Sequence, residues 1–132
     1  MNRLKGTIID FREEEHLLQV QIALPDASWQ VLLIDSASAR KNLRPGEEMV
    51  LLFKETSLIL GQPACQGIGL QNRLICQVHH ITSGPLLSRI ELLYQGNYLV
   101  AIIPTGVLTQ FDCRVGEPVS AWVRANELIL EN

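Results

Sequence analysis

The sequence predicts an all-β chain folded as two tandem five-stranded barrels, each with one short helical turn. Three observations point there. The chain repeats itself at an offset of seventy residues, its apolar residues alternate with a period of two, and turn-forming clusters cut it into short segments.

The repeat is plainest where LLFKETSLIL (51–60) is echoed by AWVRANELIL (121–130). Sliding the chain on itself by 70 places Asn2-Arg3-Leu4 on Asn72-Arg73-Leu74 and Arg44-x-Gly46-Glu47 on Arg114-x-Gly116-Glu117. The same shift places Leu58-Ile59-Leu60 on Leu128-Ile129-Leu130. Ten of 62 overlaid positions are identical, too few to decide alone. The matching phase of apolar positions decides it: Ile8 meets Val78, Val20 meets Ile90, Ile22 meets Leu92 and Leu33 meets Ile103. The resulting organisation is a first module over 1–62, a linker over 63–70 within a glycine-rich stretch, and a second module over 71–132.

Within each copy the elements follow in order. Q19-V-Q-I22 and R89-I-E-L92 alternate polar and apolar, as strands half-buried in a sheet do. Strands are expected at 4–11, 17–24, 29–35, 48–54 and 57–60, and again seventy residues later. P-D-A-S (25–28) and Q-G-N (95–97) stand where hairpin turns belong, and R-P-G-E (44–47) is a turn feeding the fourth strand. Residues 36–43 form the one expected short helix, with Ser36 as N-cap and Arg40 and Lys41 toward its C-terminal end. Five short strands and a helical turn make a small, partly open barrel of the OB type. In the fourth strand Met49, Leu51 and Phe53 share one face, yet Val50 and Leu52 make the other face apolar too. A strand apolar on both faces is covered on both, and a barrel this small cannot supply both covers. The second cover is the other copy or a second chain, and an intertwined homodimer is expected.

Composition bounds the function. A hydrophobic content of 47% against 19% charged residues suits a packed core, and with 5% aromatic residues that core must be aliphatic. A net charge of −3 gives no basic field, which counts against direct nucleic-acid binding, as does the lack of aromatics for base stacking. A local cluster of donors can still hold a small anion. No apolar run approaches the roughly 18–20 residues that span a bilayer, so no membrane insertion is expected. The opening MNRLKGTIID does not read as a signal peptide. Cys65, Cys76 and Cys113 are odd in number and form no C-x-x-C pair, which predicts free thiols in a reducing, cytoplasmic compartment.

N-x-L-x-G at the start of a copy, a serine-containing helical turn, and then L-x-x-G-E followed by five apolar residues, Lys54 and a final apolar triplet together resemble the Mop module of the TOBE group. Two in tandem resemble the di-Mop domain of molybdate-responsive transcription regulators and molybdate storage proteins, and the C-terminal part of molybdate ABC transporter ATPases. The resemblance implies that molybdate or tungstate binds where modules or subunits meet, as a ligand and with no covalent cofactor. Lys54 falls on the family's lysine, and Arg124 keeps that charge in copy two. Ser38 falls near the helical-turn serine once one residue is deleted. Asn2 and Asn72 match an Asn that the family precedes with Ser-Ala-Arg. That triplet is missing here, since copy one begins at Met1 and copy two reads G69-L-Q-N72. Arg3 and Arg73 stand where a displaced cation could enter. The resemblance leaves open fusion to an ABC ATPase or a DNA-binding domain in the native protein.

Other constellations carry less. His79 and His80 are adjacent on a strand, so their rings point to opposite faces and cannot share a metal. R12-E-E-E15 reads as a solvated turn with no acidic counterpart at 82–85. No phosphate-binding loop and no nucleophile–base set is present, so no enzyme is expected. The expected function is oxyanion binding for sensing, storage or regulation of molybdate transport. The alternative is a degenerate structural or dimerisation module that binds no oxyanion.

Overall fold

A computed structural model describes residues 1–34 and 43–132. The helix expected over 36–43, apart from Leu43, and the candidate Ser38 lie outside the described residues. The first copy contributes β1 (Asn2–Glu14), β2 (Leu17–Ala23), β3 (Ser28–Ile34), β4 (Glu48–Phe53) and β5 (Ile59–Gly61). The second contributes β6 (Asn72–Ser83), β7 (Leu87–Tyr94), β8 (Asn97–Pro104), β9 (Pro118–Val123) and β10 (Ile129–Glu131). Each expected strand is present with shifted ends: β1 runs past 4–11 on both sides, and β5 starts two residues later than 57 because Ser57 belongs to a 3-10 turn. Short 3-10 turns occupy Glu55–Ser57, Thr105–Thr109 and Ala125–Glu127.

The strands form two OB-like five-stranded sheets, with one departure from the expectation that each copy completes its own barrel. The sheet orders are β10-β4-β1-β2-β3 and β5-β9-β6-β7-β8. The last strand of each copy has crossed over. Leu60 pairs with Ala121 and Leu130 with Leu51, all antiparallel. The other copy of the same chain supplies the edge neighbour of β4, strand β10, while Val50 on its second face stays half-buried.

Both long first strands bend at the same place. Ile9 and His79 are each an extra residue in the ladder, between Ile8 and Asp10 and between Val78 and His80. Such bulges add local twist and let one strand serve two neighbours. Here β1 pairs with β4 before the bulge and with β2 chiefly after it. The turn before β4 locks onto the bend: Ile8 N–H donates to the Glu47 carbonyl at 2.9 Å, and Gly46 N–H to the Ile8 carbonyl at 2.8 Å. Gly116 and Val78 repeat this at 2.8 Å. Gly46 and Gly116 have φ of 88° and 90°, a left-handed conformation that disfavours any side chain. In the β7–β8 hairpin, Gln95 and Gly96 both have positive φ, the mirror-image turn whose twist suits a tight hairpin.

One hydrophobic core runs through both copies, from Leu4, Ile8, Val20 and Leu51 to Leu74, Val78, Ile90 and Ala121. It is aliphatic as expected. Trp29 and Phe53 are its largest aromatic pair, with ring centroids 5.8 Å apart. Trp29 also ties the copies together, its indole N–H donating to the Arg73 carbonyl at 3.1 Å.

Gly6 marks the tightest approach between β1 and its neighbours. A Cβ there would lie 2.3 Å from Ile22 Cγ2, which is stiff at χ1 and fully buried. The corresponding residue of the second copy is Cys76, so the constraint is local. Gly6→Ala is expected to destabilise the protein by about 1–3 kcal/mol, the usual cost of overpacking, as read from the midpoint of urea unfolding.

Candidate functional site

The strand exchange creates two matching corners. After β4, Lys54 opens the 3-10 turn Glu55–Ser57, Leu58 drops into the core, and β5 crosses to the other sheet. After β9, Arg124 opens Ala125–Glu127, Leu128 is buried, and β10 crosses back. The turn 55–57 packs on β8 and the turn 125–127 on β3. Each turn's first cation is therefore held at a seam between copies.

A cleft of about 290 Å³ opens at the first corner, lined by Met1, Phe53, Lys54, Ser57, Asn126, Glu127, Leu128 and Ile129. Lys54 is exposed and forms no salt bridge among the described residues. The ammonium, the Ser57 hydroxyl and the Asn126 amide are donors suited to an oxygen-rich anion. Glu127 opposes one. Its Oε1 takes the Arg124 guanidinium at 3.4 Å, an exposed pair of a kind worth roughly 0–1 kcal/mol.

The structure divides the residues picked out from sequence. Lys54 faces the cleft. Arg124 occupies the equivalent corner, engaged by Glu127. Asn2 and Asn72 are buried, and their amides are committed to the scaffold. Asn72 accepts from Gln30 N–H at 2.7 Å and donates to the Gln30 carbonyl at 2.9 Å. Asn2 does the same with Val100 at 2.7 and 2.8 Å. Each side chain thus pairs with a strand of the other copy as a backbone would. Arg3 lies 3.6 Å from Glu131, and Arg73 donates to the Pro63 carbonyl with its guanidinium 5.6 Å from the Trp122 ring centroid. Ser57, Asn126 and Glu127 escaped the sequence reading. Their signal was the echo of E-T-S by A-N-E, which marks the segments but not that they meet.

The remaining groups are quiet. His79 meets Tyr98 edge-on at 5.1 Å, and no metal-binding cluster occurs among the described residues. All three cysteines are free. Burial pushes the Cys76 thiol from 9.0 up to about 12, with Asp26 adding to the shift. Burial also holds the Tyr94 phenol protonated beyond the usual range, reinforced by its hydrogen bond to Asp26.

No family model matches the chain, and no curated protein does. A solved structure does. The crystal structure of the cytoplasmic molybdate-binding protein ModG, in its PEG-grown form with molybdate bound, superposes with a TM-score of 0.89. The match covers 98% of this chain and 94% of that one, at 21% identity. The two chains share one fold. The likeness spans both copies.

Two expectations follow. Asn72→Ala leaves the Gln30 N–H and carbonyl without their partner and should cost about 2–6 kcal/mol, at roughly 1–3 kcal/mol per orphaned group, measured by denaturant unfolding. Stability should also fall as pH rises above 9. The unfolded Cys76 thiol ionises near 9.0, whereas the folded one stays protonated to about 12, so the unfolded state binds fewer protons across that window. Melting curves of Cys76→Ala should show a shallower alkaline slope.

Proposed function

We propose that this chain is a tandem Mop-type module that binds a tetrahedral oxyanion, molybdate or tungstate, at the seams between its copies. It binds rather than catalyses, and serves the sensing, storage or regulated transport of molybdate in the cytoplasm. The observation that carries this reading is the fold match to a molybdate-loaded protein along nearly the whole chain. It is supported by the Lys54 ammonium, without a salt bridge among the described residues, in the cleft beside Ser57 and Asn126. In the proposed site the oxyanion takes Lys54 as its charge partner, with the hydroxyl and amide fixing its orientation. Arg124 is the charge partner at the equivalent corner, and Asn2 and Asn72 position the seams. Among the described residues Lys54 is the one cation lining the cleft, too little charge to balance a dianion, which argues for a second chain completing the site in a homodimer.

Calorimetric titration of the chain with molybdate, tungstate and sulfate tests this. Saturable heats are expected for molybdate or tungstate. Lys54→Ala should weaken binding about 10- to 100-fold, the loss of one charge-assisted bond of roughly 1.5–3 kcal/mol. Glu127→Gln removes the opposing carboxylate and should tighten it. Heats indistinguishable from dilution for all three anions would overturn the reading in favour of a purely structural module.

A further inference from the structure

The two copies carry different chemistry on the outer face of their first three strands. In copy one, Val20, Ile22, Trp29 and Val31 are buried in the core, so Gln19, Gln21 and Gln30 stand half-buried on the opposite face. The ladder sets them in rows. Asp10 pairs with Gln21 and Gln21 with Gln30, while Arg12 pairs with Gln19. Facing positions of neighbouring strands lie roughly 4.5–5.5 Å apart, so these side chains make one continuous polar surface. Gln71 extends the first row from the other copy, because its neighbour Asn72 is bonded to the Gln30 backbone. The equivalent positions of copy two hold His80, Glu91, Val100 and Arg89 in place of Asp10, Gln21, Gln30 and Gln19. The frame folds there without the amides, so stability does not require them.

The six residues line a cleft of about 270 Å³, near the lower end of the range for small-molecule sites. The side-chain amides of Gln19, Gln30 and Gln71 and the Arg12 guanidinium make no hydrogen bond or salt bridge among the described residues. Gln21 Nε2 donates to Ser28 Oγ at 2.9 Å, which leaves the Gln21 carbonyl oxygen uncommitted. Asp10 accepts from the Phe11 N–H at 2.8 Å through one oxygen and keeps the other.

We infer that this cleft is a binding site for a neutral, polyhydroxylated small molecule of monosaccharide size. A hydroxyl both donates and accepts, and so does a primary amide. A row of amides therefore matches a run of adjacent hydroxyls. Charge selects against other ligands: Arg12 and Asp10 flank the row with opposite signs, so neither an anion nor a cation gains there. Phe11, the remaining lining residue, is half-buried and packed against the core, so no ring is offered for a nucleobase to stack on. The ligand spans both copies, with Asp10 at one end of the row and Gln71 at the other.

The test is a titration of the isotopically labelled full chain with glucose, ribose and inositol, followed through backbone and glutamine side-chain amide shifts. At least one of the three should give saturable shifts centred on Gln19, Gln21, Gln30 and Gln71, with a dissociation constant of about 1–10 mM. Added salt should leave that affinity unchanged, and gluconate and glucosamine should bind no more tightly than glucose. A Gln30→Val, Gln71→Ala double variant should keep its spectrum elsewhere, since copy two already carries valine at the position of Gln30. It should lose about tenfold in affinity, as expected for two neutral hydrogen bonds. Four results overturn the inference: no saturable shift with any of the three at about 100 mM, shifts that do not centre on the amide row, tighter binding of a charged analogue, or full affinity in the double variant.

Discussion

Everything in this molecule is arranged around the reciprocal loan of one short strand. Neither β4 nor β9 finds its outer neighbour in its own copy, because the chain after each leaves through a 3-10 turn and pairs across. The crossing buries Leu58 and Leu128, merges two small cores into one, and brings each copy's first strand against the other's third. The asparagine pairs at Asn2–Val100 and Asn72–Gln30 then act as short links between the two sheets, whose strands share no ladder with one another. Buried amides satisfied on both atoms add directional specificity that aliphatic packing lacks.

Much of the fold could be read from residues alone because it is written twice. Each strand had two independent examples of alternation, and R-P-G-E and R-V-G-E fixed the turn before the fourth strand in both. The exchange could not be read. Leu58-Ile59-Leu60 and Leu128-Ile129-Leu130 are the same triplet, and the strands that could receive them present the same apolar positions. No side chain distinguishes pairing within a copy from pairing between copies. The choice is visible only in the ladders, where Leu60 meets Ala121 and Leu130 meets Leu51.

The candidate site was legible in outline for a related reason. The resemblance singled out Lys54, and the structure sets it in a seam. It also singled out Asn2 and Asn72, where a buried polar side chain marks an important position but does not reveal whether it serves a ligand or a neighbouring strand. Both asparagines bond backbone. Asn126 and Glu127, which share the cleft with Lys54 and Ser57, come from the equivalent turn of the other copy, and the crossing brings the two turns together.

Joining the two copies in one polypeptide has a consequence for how they can change. A self-paired single module must use one surface for both halves of its contact, so any substitution acts twice. Here each half is encoded separately. Ser57 and Glu127 occupy matching positions yet offer a hydroxyl and a carboxylate, and Trp29 faces its partner where the matching residue is Leu99. The tether also makes the encounter intramolecular, at an effective concentration of order millimolar for a short flexible connection. A half that has lost affinity for its mate is therefore still held beside it, and the pair is free to become two unlike sites on one symmetric frame.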